Sequence, residues 1–305
     1  MGQKDIAEKT LEAYNDVFAD IVNGLVFKGK KVVKEDDLQE MSPVSAFKSD
    51  KKYHKQERDV AKLWKENGIR VALYGIENQT TVDSSMPLRV IAYDGVAYKK
   101  QLIENSKSKK KKEPIEQPKF YPVITFVLYL GDKPWKSNKN LLDVLTLRPE
   151  FKPFVSDYKI NLIDLSNLPD EQVKLFKSDF RSLIDWLKKQ KDPDYKVDPR
   201  TLDHPDELKQ LLYSMSGDER VFAIPNNSNE EDGGTITMCE FIDKLEAKGF
   251  EKGIEKGIEK GIEKGKVLTL AELVKKGLLT IQQAAEEMNV TVAKFKALTK
   301  KLATN

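Results

Sequence analysis

The run at residues 120–130, Phe-Tyr-Pro-Val-Ile-Thr-Phe-Val-Leu-Tyr-Leu, constrains the fold more than any other stretch. Its eleven residues are too few to cross a bilayer as a helix, which takes about 20 apolar residues. Its β-branched and aromatic content is typical of a strand, and its unbroken apolar character is typical of a strand buried on both faces. We therefore predict that it forms the centre of a sheet.

A second predicted strand, residues 69–80, ends in polar side chains that a buried strand would avoid. Glu77 and Gln79 lie two apart, so they project from the same face of that strand. The pair Asn67-Gly68 precedes the strand and is favoured in tight hairpin turns, where both residues take a positive φ. The resulting hairpin would return Asp59 to the Glu77 end, which predicts an acidic pair there.

Composition limits the classes of function. The 305 residues include 52 Lys and Arg against 49 Asp and Glu, a net charge of +3, so any basic surface for nucleic acid must be local. A single cysteine excludes an internal disulfide, and with only two histidines the soft ligands for a structural zinc site are too few. No run of 18 apolar residues exists. We expect a cytoplasmic protein with neither a membrane nor a disulfide partner.

Residues 7–27 show apolar positions three and four apart, which predicts a first helix. Asp16 and Asp20 lie four apart and so share one face of it. Two interpretations stay open: a solvated acidic edge, or a further carboxylate for the site at Asp59 and Glu77.

The segments that follow Gln79 fill out the expected domain. Residues 86–98 fit a short strand or the start of a helix and carry Arg89 close to the acidic hairpin. The basic run 106–113 lacks apolar anchors, which favours a mobile, solvated loop over a DNA clamp. Further along, the pattern predicts a strand at 160–165 and helices at 172–190 and 206–217.

The C-terminal part contains a Glu-Lys-Gly-Ile repeat with glycines every four residues from 249 to 265. Glycine weakens a helix by about 1 kcal/mol per site relative to alanine. We therefore predict that residues 241–266 form a helical connector of low intrinsic stability. Small residues in a row allow close approach of two backbones, and the stripe of Phe250, Ile254, Ile258 and Ile262 would favour a homo-oligomer.

Residues 267–305 fit a helix-turn-helix. Gly277 can end one helix, and Thr280 and Thr291 can cap the two that follow. Lys294, Lys296 and Lys300 would lie on or near the last helix, where a phosphate backbone could meet them. DNA contact and a helical oligomerisation cap remain alternatives, because no Arg, Asn or Gln is placed to recognise bases.

Asp59 and Glu77 together suit Mg²⁺, which prefers oxygen ligands and needs only one or two carboxylates. A metal held there could activate water and neutralise charge on a phosphate; Mn²⁺ is a plausible substitute. Gln79 could position the attacking water or a phosphate oxygen. Arg89 could bind phosphate bidentately.

The combined motifs resemble the PD-(D/E)XK nuclease superfamily and, within it, the recombination-promoting nuclease (Rpn) and putative transposase family. The matching segments are Arg58-Asp59-Val60, residues 75–80, 86–98 and 121–129, and the Glu-Lys-Gly tail. The resemblance covers the first helix to about residue 165 and resumes in the tail.

The resemblance implies an α/β fold, a restriction-endonuclease-like mixed sheet flanked by helices, with a helical C-terminal extension. Residues 1–240 would form the nuclease-like domain, with its core at about 7–165. Asp59 and Glu77 would bind metal, and Asp16, slightly preferred to Asp20, would complete the site. Gln79 would stand where the superfamily has lysine, which removes a cation from the site.

The implied function is a metal-dependent DNA endonuclease, a hydrolase of phosphodiester bonds associated with recombination or mobile elements. The alternative is a catalytically inactive DNA-binding or oligomerising protein that retains the nuclease scaffold. Only the first requires Glu77 for strand cleavage.

Overall fold

The computed structural model describes residues 11–41, 44–49, 52–57, 59–109, 120–227 and 235–303. The chain divides into two compact units, Met1–Ile242 and Asp243–Asn305. Arg58 and residues 110–113 of the basic run lie outside the described residues. No helix in the described ranges is long and apolar enough to cross a membrane.

The first unit is built on a mixed five-stranded sheet. Its order is β1-β4-β5-β6-β7, and a separate antiparallel pair joins β2 to β3. β1, β4 and β5 pair antiparallel, whereas β5, β6 and β7 run parallel. The strands are β1 (Leu38–Glu40), β2 (Val44–Ser49), β3 (Lys52–Glu57), β4 (Val60–Glu66), β5 (Ile69–Gln79), β6 (Val123–Tyr129) and β7 (Asn161–Asp164).

The described α-helices are α1 (Asn15–Phe27), α2 (Met86–Lys109), α3 (Leu141–Val144), α4 (Asp170–Val173), α5 (Asp179–Lys191), α6 (Pro205–Ser216), α7 (Met238–Lys275), α8 (Ile281–Glu287) and α9 (Val292–Ala303). Short 3-10 helices occur at Glu35–Asp37, Pro149–Phe154, Leu165–Asn167 and Glu219–Ala223. The predicted α/β class, a mixed sheet flanked by helices with a helical C-terminal region, is confirmed and is consistent with a restriction-endonuclease-like fold.

The predicted buried strand is β6, which has a strand on each side. Its Val127 and Tyr129 pack against Met86 and Val90 of α2 on one face of the sheet. On the other face, Phe126 and Leu128 are 6% and 0% exposed, and Phe126 stacks on Tyr74 of β5 with ring centroids 6.3 Å apart. Both faces of β6 are therefore covered, as its apolar sequence requires.

The predicted hairpin is also present. β4 and β5 pair antiparallel, and the turn between them holds Asn67 at φ 50° and Gly68 at φ 78°. Two successive positive φ values fit a turn whose twist matches that of the flanking strands. This local geometry sets the register that brings the start of β4 beside the end of β5.

Several boundaries differ from the sequence-based expectations. Leu11 is helical, a turn follows at residues 12–14, and a helix then starts at Asn15; residues 1–10 lie outside the described part. Residues 86–98 belong to the long helix α2, which continues to Lys109 into the basic run expected to be a loop. The segment 172–190 holds parts of two helices, α4 and α5, because the chain bends between them.

α7 begins in the first unit, and its residues from Asp243 onward, including the whole glycine repeat, belong to the second. In the second unit, Ala284 and Ala285 of α8 and Phe295 of α9 form a small core where the two helices pack together. Thr280 and Gln283 form a capping box at the start of α8, and Asn289 takes φ 56° in the turn before α9.

Candidate active site

Asp59 and Glu77 meet where β4 begins and β5 ends. The backbone N–H of Asp59 donates to the Ile76 carbonyl at 3.2 Å. Its carboxylate Oδ2 in turn accepts from the backbone N–H of Asn78 at 2.7 Å. That nitrogen is bonded directly to the carbonyl carbon of Glu77, so the Asp59 carboxylate is anchored at the Glu77–Asn78 peptide. The hairpin thus brings together the two acids that sequence analysis paired.

Glu77 is 2% exposed and forms an ion pair with Arg89 of α2. The Gln79 amide lies 3.4 Å from the same oxygen, Glu77 Oε1. Arg89 also contacts Asp83 Oδ2 at 3.0 Å and donates to the Tyr93 hydroxyl at 3.3 Å. The arginine therefore links one buried acid to one partly exposed acid and reaches the edge of the site.

Burial and neighbouring charges shift the pKa values of Arg89, Asp83 and Tyr93. Burial acts to lower the pKa of Arg89, but the Glu77 charge together with the contacts to Tyr93 and Asp83 outweighs burial and raises that pKa above its ordinary value. Burial acts to raise the pKa of Asp83, yet hydrogen bonds from Ser85 and Arg89 hold it below its usual value. Burial, followed by the Glu77 charge, raises the pKa of Tyr93. The charge of Asp59 also raises the Tyr93 pKa, so both acids lie close enough to Tyr93 to act on it.

Asp16 and Asp20 of α1 have other partners. Asp16 Oδ2 lies 2.9 Å from His204 Nε2. Asp20 Oδ2 accepts from the backbone N–H groups of Lys177 and Ser178 at 2.7 and 2.8 Å. Within the described residues, no group of three or more His, Cys, Asp or Glu side chains could hold a metal ion. Asp16 thus contacts the loop before α6 and no contact joins it to Asp59 or Glu77 among the described residues, so its part in a three-acid site stays a prediction.

An acid upstream of α1, Glu12, contacts the end of β5 in place of Asp16 and Asp20, and sequence analysis did not identify it. It is 1% exposed and accepts from the Asn78 side-chain amide at 2.7 Å. Asn78 lies between Glu77 and Gln79, so its side chain points to the opposite face of the sheet. Polar residues stand at both 77 and 78 of an otherwise apolar strand, one on each face of the sheet. This pattern could have predicted a polar partner on each face.

The turn that carries Glu12 is held by a buried lysine. Lys62 of β4 is 1% exposed and donates to the Ala13 carbonyl and the Asn15 side chain. Burial lowers the pKa of Lys62, because a charged ammonium is disfavoured away from water. These bonds attach the start of α1 to the same hairpin that carries Asp59.

The residues present fit a hydrated Mg²⁺ or Mn²⁺ through two carboxylates. Asp59 and Glu77 offer hard oxygen ligands at one strand end, and Mg²⁺ needs only one or two such ligands because it keeps several waters. Arg89 is a competing cation at Glu77 Oε1. Metal binding at Asp59 and Glu77 thus remains a prediction, and the metal would either bind Glu77 through its other oxygen, Oε2, or displace Arg89 from Oε1.

The lysines predicted to meet DNA lie in the second unit. Lys294, Lys296 and Lys300 belong to α9, and all three are exposed. Lys296 and Lys300 are four residues apart and share one face, whereas Lys294 projects elsewhere. Their role in DNA contact stays a prediction.

Residues 30–200, just over half of the chain, match the model of the family described as "Putative transposase, YhgA-like". The matched span contains Asp59, Glu77, Gln79 and Arg89. No curated protein and no solved structure matches the chain.

Proposed function

The chain belongs to the YhgA-like putative transposase family, which links it to mobile elements, and from this premise we propose that it is a metal-dependent DNA endonuclease. The observation that carries the proposal is the meeting of Asp59 and Glu77 at the end of β5. The reaction would be hydrolysis of a phosphodiester bond. The proposed cofactor is Mg²⁺, with Mn²⁺ as a substitute.

Each residue has a proposed part in that reaction. Asp59 and Glu77 would hold the metal, which supplies an activated water and neutralises phosphate charge when bound. Gln79 lies on the face of Glu77 and can both donate to and accept from a water through its amide. Its neutral amide orients the water without adding the positive charge of the lysine found elsewhere in the superfamily.

Arg89 is suited to bind the phosphate once it leaves Glu77. Its second anchor, Asp83 at 3.0 Å, and its third, Tyr93 at 3.3 Å, can keep the guanidinium at the site after the Glu77 contact is lost. A guanidinium presents several N–H donors in one plane, a geometry that matches two phosphate oxygens. Arg89 would then stabilise the charge that develops during cleavage.

The deciding experiment is plasmid nicking by the full chain with Mg²⁺ or Mn²⁺. Wild type should nick, and Asp59→Ala and Glu77→Ala should not, with both variants folded by circular dichroism. Equal nicking by all three proteins would contradict the assignment.

The Glu77–Arg89 ion pair favours a second candidate, a DNA-binding protein that keeps the scaffold without cutting. A permanent pair would keep metal from Oε1 of Glu77 and would neutralise the charge of that carboxylate. This candidate predicts no metal-dependent nicking by wild type, together with DNA binding that survives Glu77→Ala. Deletion of 267–305 would weaken that binding, and its affinity would fall steeply with salt.

Gln79 gives a graded prediction. Gln79→Ala should lower the nicking rate about 10- to 100-fold, the usual loss when a residue that orients a metal-site group is removed. Gln79→Lys should retain or exceed the wild-type rate, because a cation at this position can stabilise the transition state. Rates under single-turnover conditions measure both. A Gln79→Lys rate as low as that of Gln79→Ala would show that the amide is required.

We also propose that the repeat of α7 pairs with a second copy of itself in parallel. Phe250, Ile254, Ile258 and Ile262 are between 48% and 72% exposed. A side chain added at Gly253, Gly257, Gly261 or Gly265 would meet nothing within 4 Å. At about 100° per residue, the isoleucine and glycine rows are adjacent, with glutamates flanking the isoleucine row and lysines flanking the glycine row.

Charge selects the parallel arrangement. In a two-fold parallel pair the isoleucine edge of one helix faces the glycine edge of the other, so each glutamate row meets a lysine row. In an antiparallel pair like rows meet, which repels. A four-residue period exceeds 3.6, so the two helices should cross with a right-handed twist.

Cross-linking tests this pairing. In a Cys239→Ser background, Phe250→Cys should oxidise to a disulfide-linked dimer, because a disulfide needs Cα atoms within about 7 Å. Ile262→Cys should behave in the same way. A dimer that forms only when the 250 and 262 variants are mixed would show an antiparallel pair, and a monomer in sedimentation would contradict pairing altogether.

A further inference from the structure

Arg89 lies at the border between the interior of the candidate site and solvent. Its side chain is 36% exposed, whereas that of its partner Glu77 is 2% exposed. A DNA phosphate can therefore reach the guanidinium from solvent, but it cannot reach the Glu77 carboxylate in the same way. Of this ion pair, the arginine is the member that an incoming DNA strand can meet.

The two terminal nitrogens of Arg89 contact different partners. Nη1 contacts Asp83 Oδ2 at 3.0 Å, and Nη2 contacts Glu77 Oε1 and donates to the Tyr93 hydroxyl at 3.3 Å. Asp83 is itself held in place, because its Oδ1 accepts from the backbone N–H of Ser85 at 2.8 Å and from the Ser85 hydroxyl at 2.7 Å. The guanidinium can therefore turn about an anchored contact at Nη1 and exchange the acceptor at Nη2.

The burial of Glu77 decides when Arg89 can leave it. Removing one partner of a buried ion pair leaves the other charge away from water without compensation, which is strongly unfavourable. Arg89 therefore leaves Glu77 Oε1 only when another cation compensates that carboxylate. Conversely, while Arg89 stays, its positive charge opposes the binding of a second cation to the same carboxylate, through either oxygen.

The net charge of the site makes a phosphate depend on a cation as well. Three carboxylates, those of Asp59, Glu77 and Asp83, belong to the site together with one guanidinium, which leaves an excess of two negative charges. A phosphate that approaches this excess is repelled. A divalent cation at Glu77 cancels the excess, and the guanidinium displaced from Glu77 then needs a new acceptor, which the phosphate supplies.

We propose that Arg89 exchanges partners: it pairs with Glu77 in the free protein and with a DNA phosphate in the complex, so that DNA and a divalent cation bind to this site cooperatively. The inference rests on the proposed function for its two ligands, DNA and the cation, but not on cleavage. Coupling between two ligands is reciprocal, so DNA tightens cation binding by the same factor as the cation tightens DNA binding. Such couplings are typically about 5- to 150-fold.

Mn²⁺ binding to the DNA-free full chain, measured by isothermal titration calorimetry, tests the competition at Glu77. Arg89→Met removes the positive charge but keeps a long apolar side chain, so it should tighten Mn²⁺ binding about 5- to 150-fold relative to wild type. Arg89→Gln should show the same gain, and its neutral amide can still donate to Glu77 if the methionine variant fails to fold. Damage to the fold would weaken Mn²⁺ binding, so a gain in affinity distinguishes competition from a structural role of Arg89.

Two controls isolate the charge at this position. Arg89→Lys keeps a cation and should stay closer to wild type than Arg89→Met does. Arg70→Met removes an arginine from another pair with a glutamate, since Arg70 contacts Glu104 at 2.7 Å and both side chains are exposed. The Mn²⁺ affinity of Arg70→Met should match wild type, because this pair shares no residue with the candidate site.

Fluorescence anisotropy of a labelled duplex oligonucleotide, titrated with the full chain at constant ionic strength, measures the coupling itself. In wild type, Kd in Mn²⁺ should be about 5- to 150-fold lower than Kd in EDTA, measured before cleavage as shown by a denaturing gel of each sample. Added salt weakens ordinary electrostatic binding to DNA, so tightening by Mn²⁺ is opposite in sign to screening. In Arg89→Met the ratio of the two Kd values should fall towards one, because the exchange is lost.

The outcomes separate this inference from the proposed function. Tighter Mn²⁺ binding and a smaller Kd ratio in Arg89→Met, with no nicking by wild type, support the exchange and overturn the endonuclease. Nicking by wild type, with unchanged or weaker Mn²⁺ binding in Arg89→Met and Arg89→Gln, supports the endonuclease and overturns the exchange. An equal Kd ratio in wild type and Arg89→Met shows that Arg89 stays on Glu77 throughout, which also overturns the exchange. Absence of Mn²⁺ binding in wild type and in every variant overturns both proposals.

Discussion

Replacing Glu77 with alanine is expected to lower Mg²⁺-dependent nicking by at least about 100-fold. Even a residue that merely orients a metal ligand contributes about 10- to 100-fold, and Glu77 is proposed to bind the metal directly. The Glu77 side chain is 2% exposed, so bulk water has little access to replace its carboxylate as a ligand. Plasmid nicking measured over a range of Mg²⁺ concentrations provides the readout.

Two further variants separate the charge of Glu77 from its packing. Glu77→Gln keeps the volume and an oxygen that can accept from Arg89, but it removes the negative charge, so it should lose as much activity as Glu77→Ala. Glu104→Ala is the control on α2, where Glu104 forms an exposed ion pair with Arg70 at 2.7 Å. Exposed pairs contribute about 0–1 kcal/mol, so its nicking rate and stability should stay near wild type. Full activity in Glu77→Gln would exclude Glu77 as a metal ligand.

Gly24→Ala should lower the free energy of unfolding by about 1–3 kcal/mol, the usual cost of overpacking a well-packed core. A Cβ at position 24 would stand 2.4 Å from Cε1 and 2.6 Å from Cδ1 of Phe176. That ring is 1% exposed and packs edge-on against Phe180 with ring centroids 5.1 Å apart. Since the ring has little room to retreat, α1 would have to move away from the segment that precedes α5.

Gly95→Ala is the matched control for Gly24→Ala. Both glycines lie inside helices, but a Cβ at Gly95 would meet nothing within 4 Å. Alanine should therefore raise the free energy of unfolding by about 0.4–1 kcal/mol, because it restricts the unfolded chain without strain in the folded one. Urea unfolding of both variants measures the two effects. Shifts of the same sign would show that the Phe176 contact relaxes freely.

The parts of the fold that sequence analysis predicted correctly depend on neighbours within a few residues. Asn67-Gly68 specifies a tight turn because both residues tolerate positive φ, and that turn sets the register of β4 and β5. The capping box at Thr280 is equally local. The run that becomes β6 is apolar at nearly every position, so it predicts a strand covered on both faces.

Only part of the candidate site could be predicted from local sequence. Asp59 and Glu77 could be paired because one hairpin turn joins them. The ion pair between Glu77 and Arg89 was not foreseen, since it depends on α2 packing across the same face of the sheet. Spacing in a helix shows that Asp16 and Asp20 share a face, but not what that face meets.

The hairpin, its two acids and the glutamine beside them follow from the sequence alone, because each depends on the period of a strand or on the conformation of a turn. Only the tertiary structure placed Glu12 against Asn78 and turned Asp16 towards His204. These contacts join residues 66 and 188 positions apart in the chain. Their geometry follows from how α1 sits on the sheet, through Lys62 and the start of the helix at Asn15, and no local preference of the chain specifies that packing.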